Sequence, residues 1–238
     1  MNNLRQFMRS LAKEDAFNGV PAVSRNMSPP LWNMVHHEWA PGQRTTGQWN
    51  NVGLVQSIAN AGYLVMQSEH QCGNYPWLGQ TATSPADANR GNFLPNMAPN
   101  NHAYGEESWD LITDWVEAGV NIYSAWNMVL DTIGMNLDQT RAWPQNALLA
   151  VDTNAGTLQV TAAYYVFRHI GQYVEPNAVR LGTQGGDALA FRNPDGSIVT
   201  IMYNNGGSAA QTTLSVGGQL LQFQIPAHGW ATVNHQAS

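Results

Sequence analysis

Charge is what this chain has least of. Only 11% of its residues are charged, against about 25% in an ordinary soluble domain. Lysine is nearly missing, with Lys13 the only one. Ten Lys and Arg against sixteen Asp and Glu leave a net charge of -6. No basic patch is therefore available to neutralise phosphates, which excludes nucleic acid as a partner class. Cys72 is the only cysteine, which excludes an internal disulfide. No run is long and apolar enough to span a membrane. Residues 1–15 lack the continuous apolar stretch of a signal peptide; Leu4, Phe7, Met8 and Leu11 fall instead at helical spacing, as in a short amphipathic helix. Neither a phosphate-cradling P-loop nor a Gly-x-Ser-x-Gly elbow occurs. No cofactor and no bound metal is expected.

What is present suits a folded protein with a neutral surface. Hydrophobic residues make up 43% of the chain, and nine of them are tryptophan. Polarity comes from Asn, Gln, Ser and Thr, which suits a neutral hydroxylated ligand such as a sugar. Two regions differ in periodicity. From about 50 to 175, strands alternate with helices. "VGLVQSIANAG" (52–62) reads as a short helix with a glycine stop, and "YLVMQSE" (63–69) as a buried strand. "EESWDLITDWVEAG" (106–119) reads as a helix with acids in its first turn, and "VNIYSAWN" (120–127) as the next strand. Strand, helix and strand make a parallel βαβ unit. A loop over 131–146 and a hairpin around "VDTNAGTLQV" follow, then a helix over 162–174. Beyond it, "DALAFRNPDGSIVTIMYNNGG" gives two strands around a Pro-Asp-Gly turn, and short strands continue to the end. The expected division is 1–176 as an α/β unit and 177–238 as an all-β unit.

In a parallel α/β sheet or barrel, chemistry gathers at the carboxyl ends of the strands. Glu69 stands at such an end, in "MQSEHQCGNYPW" (66–77), and Trp126 and Asn127 at the next. A carboxylate can attack or stabilise an oxocarbenium-like centre, an indole can stack on a pyranose, and an amide can bond a hydroxyl. The plainer reading has Glu69 capping the following loop and Trp126 in the core. "HHEW" (36–39) superficially suggests a metal site. Its histidines are adjacent rather than four apart on a helix, and 31–38 reads as a strand. Cys72 beside His70 matches no thiol-nucleophile signature.

Four stretches occur in an order that resembles the carboxyl-terminal part of the glucosylceramidase-like glycoside hydrolases, family thirty. They are "QSEHQCGN" (67–74), "SAWNMVLD" (124–131), "LLAVDTNAGTLQVTAAYYVFRHIGQYVEPNAVR" (148–180) and "ALAFRNPDGSIVTIMYN" (188–204). The resemblance covers residue 61 to the end. It implies an incomplete (β/α)8 barrel over 1–176, comprising its last strands and helices, followed by a β-sandwich domain over 177–238. It implies that Glu69 is the catalytic nucleophile of a retaining hydrolase of β-linked glycosides. Trp126 and Asn127 would line the sugar subsite, and Tyr75 and Trp77 the wall beyond. The substrate would be a β-linked oligo- or polysaccharide or a glycolipid, and the parent protein would be extracellular.

The chain departs from the family pattern in one respect. The family's acid/base glutamate lies in an Asn-Glu context, and no Asn-Glu pair occurs here. A (β/α)8 barrel takes about 250 residues, so the acid/base half of the barrel is expected to be missing from this chain: it is a fragment, or its gene start is set late, or it is a reduced descendant of a full barrel. Within the chain, Glu38 is the candidate substitute, with His37 and Trp39 beside it as substrate-binding residues. The alternative is a catalytically silent carbohydrate-binding protein, in which Trp77, Trp126 and Trp143 hold glycans without turnover.

Overall fold

The computed structural model describes residues 32–36, 56, 59–71, 102–126, 128–132, 136–138 and 147–236. The chain divides into two compact units, 1–162 and 163–238. In the first, β1 (Trp32–His36), β2 (Leu64–Gln71) and β3 (Ile122–Trp126) form a three-stranded sheet in the order β1-β2-β3. Both pairings are parallel. A parallel pair needs a crossover, and here it is α1 (His102–Glu117). Trp109, Ile112 and Trp115 recur at helical spacing and are buried. Trp115 packs with Val65, Ala118 and Val120 in one cluster, with Ala59, Tyr63 and Tyr123 around it. This is the cluster that fastens the helix to the sheet.

The helix begins four residues earlier than the sequence suggests, so its first turn carries no acid and Glu106 falls in the second. Tyr104, fully buried, explains the extension: the earlier turn is stabilised by packing rather than by charge at the helix end. Its stop is as expected. Gly119 takes φ of 105°, and Val120 N–H donates to the Trp115 carbonyl at 3.0 Å. A Cβ at Gly119 would stand 2.6 Å from Ala59 Cβ, so glycine is required there for space as well as for φ.

A second small sheet in this unit has the order β4-β5-β6, from β4 (Val129–Asp131), β5 (Leu149–Asp152) and β6 (Thr157–Val160). The β5–β6 hairpin is the one expected. Asp152 accepts from the N–H groups of Asn154 and Ala155, both at 2.9 Å, and so shapes its turn. Strand β4 was not expected; it pairs in parallel with β5, eighteen or more residues away.

The second unit holds α2 (Ala162–Gly171) and six strands: β7 (Val179–Leu181), β8 (Asp187–Arg192), β9 (Ile198–Asn204), β10 (Ala210–Val216), β11 (Gln219–Ile225) and β12 (Gly229–His235). Four of them form an antiparallel sheet in the order β12-β9-β8-β7, and β10 and β11 form a hairpin. Leu189, Val199 and Ile201, at most 1% exposed, share one face of the larger sheet with Thr232. Each such burial contributes about 1.5–3 kcal/mol. Ala188, Ala190, Thr200 and Met202 lie on the other face, which meets the β10–β11 hairpin. The architecture is thus a partial barrel-type α/β unit followed by a β-sandwich. Between the sandwich sheets runs a cleft of about 810 Å³, lined by those four residues and by Thr212, Leu214 and Ile225.

Two polar clasps hold this unit. Asn193, buried at the β8–β9 turn, accepts from Glu175 N–H at 3.0 Å and donates to the Tyr173 carbonyl at 2.9 Å and Ser197 Oγ at 3.1 Å. The turn itself is closed by Ser197 N–H donating to Asp195 Oδ1 at 2.8 Å. Hydrogen bonds from Ser197 hold the Asp195 carboxyl below its usual range. At the middle of β12, His169 Nδ1 lies 2.7 Å from Thr232 Oγ1 and ties α2 to that strand. Burial, and secondarily the adjacent Arg168 cation, lowers the His169 pKa from its ordinary 6.5.

A depressed histidine favours the neutral form in the folded state. Its stabilising effect is therefore complete above the unfolded value of 6.5 and declines as pH falls below it. The urea midpoint of the wild type should fall more steeply between pH 7.5 and pH 5.5 than that of His169→Gln. Parallel profiles for the two proteins would contradict this assignment.

Candidate functional site

The carboxyl ends of β2 and β3 coincide, because Gln71 is paired with Trp126 and the strands run the same way. Glu69 lies in β2, two positions before that end. The backbone is what the structure describes at Glu69 and Trp126. Their strands therefore bring them to the same edge of one sheet, as their spacing leads one to expect.

The pairing register holds a feature not visible in the sequence. Gln67 pairs with Tyr123 and His70 pairs with Ala125, with a register shift between them. Ser68 and Glu69 therefore stand together opposite Ser124 alone. The backbone register thus shifts as it does at a β-bulge, and bulges are over-represented next to active sites. Glu69 sits within the shifted segment. On the other side of β2, His36 ends β1 opposite Ser68. β1 thus ends beside the shifted segment, and β2 and β3 end two residues beyond it.

A short polar residue sets the register upstream. Asn121 N–H donates to the Val65 carbonyl at 2.9 Å, and Asn121 Oδ1 accepts from Val65 N–H at 2.9 Å. Backbone and side chain of one residue hold both polar groups of a residue that is completely buried. The lock lies at the start of the β2–β3 pairing, so any change in register must occur after it. The sequence offers no signal for this role: Asn121 falls inside the expected strand 120–127, whereas the strand itself begins at Ile122.

The remaining candidates, Glu38, His37, Trp39, Tyr75, Trp77 and Asn127, lie outside the described residues, as do Cys72 and Trp143. Among the described residues no three His, Cys, Asp or Glu gather so as to hold a metal ion. No helix among them is long and apolar enough to cross a membrane.

Residues 177–233 match the family model of the glycosyl hydrolase family 30 beta sandwich domain. Solved structures resemble the larger part of the chain. SrfJ from Salmonella typhimurium is 17% identical with a TM-score of 0.60, over 78% of this chain and 38% of that one. The endo-β1,6-glucanase BT3312 is 16% identical with a TM-score of 0.62, over 86% of this chain and 41% of that one. A GH51 arabinofuranosidase from Xanthomonas axonopodis pv. citri is 14% identical with a TM-score of 0.50, over 86% and 52%. At such identities the likeness is one of fold. The chain spans about two fifths of the length of the first two structures.

The Asn121 lock can be tested directly. Asn121→Ala leaves the buried Val65 N–H without its acceptor and should cost about 1–3 kcal/mol in a urea titration. Hydrogen exchange at the Val65 amide should accelerate with it. Asn121→Asp keeps the acceptor and should restore most of the loss.

Proposed function

We propose that this chain, the counterpart of the carboxyl-terminal part of the family 30 glycoside hydrolases, carries the nucleophile of a retaining glycosidase site. The observation that supports the reading best is Glu69 in a bulge at the carboxyl edge of a parallel sheet, beside the end of the strand that bears Trp126. A family 30 β-sandwich follows in the same chain.

In that role the Glu69 carboxylate attacks the anomeric carbon of a β-linked glycoside. The glycosidic oxygen leaves with a proton from an acid, and a covalent glycosyl-enzyme forms; water then releases the sugar with its configuration retained. Trp126 would stack on the sugar ring, and Asn127 would bond a hydroxyl. His37, Trp39, Tyr75 and Trp77 would extend the binding surface. Glu38, two residues beyond the end of β1, is the candidate proton donor. The acid/base of the parent protein is otherwise supplied from outside this chain. Substrates would be β-linked polysaccharides, their oligosaccharides or a glucosylceramide-like glycolipid, met by an exported protein.

A fluorinated glycosyl inactivator with an activated leaving group is the direct test. Such a group departs with little acid assistance, so a site holding only the nucleophile can still be labelled. Peptide mapping should place the adduct on Glu69, and Glu69→Gln should abolish it; an adduct on another residue sinks the assignment. On an activated aryl glycoside, Glu69→Gln should lower kcat by on the order of a thousandfold or more.

A second reading, a catalytically silent carbohydrate-binding protein, is favoured by the sandwich cleft. Its volume falls within the usual range for ligand sites. Thr183, Gln184, Asn204, Thr212 and Thr213 give it uncharged polar groups, with Asp187 beside them. Calorimetry with soluble β-linked oligosaccharides separates the two readings. Binding that persists in Glu69→Gln but is lost in Thr212→Leu would favour the silent protein.

A further inference from the structure

The turn from β9 to β10 carries an Asn-Gly pair, Asn205–Gly206, in the run Asn204-Asn205-Gly206-Gly207. Asn-Gly pairs have an intrinsic chemistry. The glycine amide nitrogen is an internal nucleophile for the asparagine side-chain carbonyl, and the lack of a Cβ leaves its approach open. Once that nitrogen gives up its proton, it bonds to Asn205 Cγ. The Cγ–Nδ2 bond breaks, and ammonia leaves with a proton from the medium. Water then opens the five-membered imide to aspartate or isoaspartate. Water is the only co-reactant, and nothing is oxidised or reduced.

Asn205 meets the first requirement, since it is exposed at the rim of the sandwich cleft. Gly206 does not meet the second in the folded chain. Its N–H donates to Asn204 Oδ1 at 3.0 Å, and its carbonyl accepts from His228 N–H at 3.2 Å. The Asn204 side chain is itself anchored. Its Nδ2 group donates to the carbonyls of Ser208 at 2.8 Å, Ile225 at 3.2 Å and Pro226 at 2.9 Å. The nucleophile is thus bonded through its own proton to a group fixed across the end of β11. Attack requires that bond to break and the peptide to pivot toward Asn205.

We propose that Asn205 is a latent site of spontaneous deamidation and that the Asn204 side chain holds it closed. Opening the lock places a carboxylate at the rim of the cleft, or an isoaspartyl linkage that lengthens the backbone beside the Gly229–Asn204 pair of β12 and β9. The proposal does not depend on any glycosidase activity.

The test follows Asn, Asp and isoAsp at position 205 by peptide mapping of the full chain in mildly alkaline buffer. Folded wild type should convert at least about tenfold more slowly than the same chain in urea, as expected for a reaction gated by local opening. Asn204→Ala should bring the folded rate to within a few fold of the urea rate. Asn193→Ala, which removes the clasp at the β8–β9 turn, is the comparison for general destabilisation and should retain most of the protection. Gly206→Ala should suppress the reaction in every background by crowding the nucleophile. Equal rates for folded and urea-treated wild type would overturn the proposal. So would protection that survives Asn204→Ala, or that is lost equally in Asn193→Ala.

Discussion

The parallel pairing of β2 with β3 is the constraint on which the first unit depends. A parallel pair cannot close through a tight turn, so a helix must cross between its strands, and that helix must be apolar along one side to stay on the sheet. Trp109, Ile112 and Trp115 satisfy that demand. Gly119 ends the crossover where no Cβ fits against Ala59, and Asn121 then seizes both polar groups of Val65. With the start of the pairing fixed in this way, one surplus residue in β2 must be accommodated further along. It is accommodated at Ser68 and Glu69.

The position of the bulge connects packing to chemistry. A regular strand would alternate its side chains strictly between two faces. An extra residue in one strand interrupts that alternation, and here it falls two residues before the paired ends of β2 and β3. The residue proposed as a nucleophile lies in the backbone segment where the described β2–β3 register shifts. The second unit is organised differently. Its sheets are antiparallel and its junctions are clasped by asparagine side chains, Asn193 at one turn and Asn204 at another. Each uses both its acceptor and its donor on backbone groups.

Much of this arrangement is legible in the chain. The apolar run before Glu69, the helical spacing of the tryptophans and the Pro-Asp-Gly turn each declare their element, because local periodicity and turn chemistry act over a few residues. Four stretches in order also pointed to a family 30 barrel end and sandwich. The matched sandwich domain and the shared fold agree with that resemblance. The start of α1 was misjudged because Tyr104 is recruited by burial, which the acids at 106 and 107 do not reveal. Strand β4 was missed because three residues carry too little pattern, and its partner is remote in the chain.

The sequence by itself determined which residues are apolar, where glycine must permit a turn, and that a carboxylate follows a buried strand. These properties belong to single residues or to short windows. Only the tertiary structure decided that Glu69 falls in a bulge, that Asn121 locks Val65, and that Asn204 binds the amide of Gly206. Each of these is a register or a contact between groups, set by which backbone partners remain once the neighbouring strands have paired.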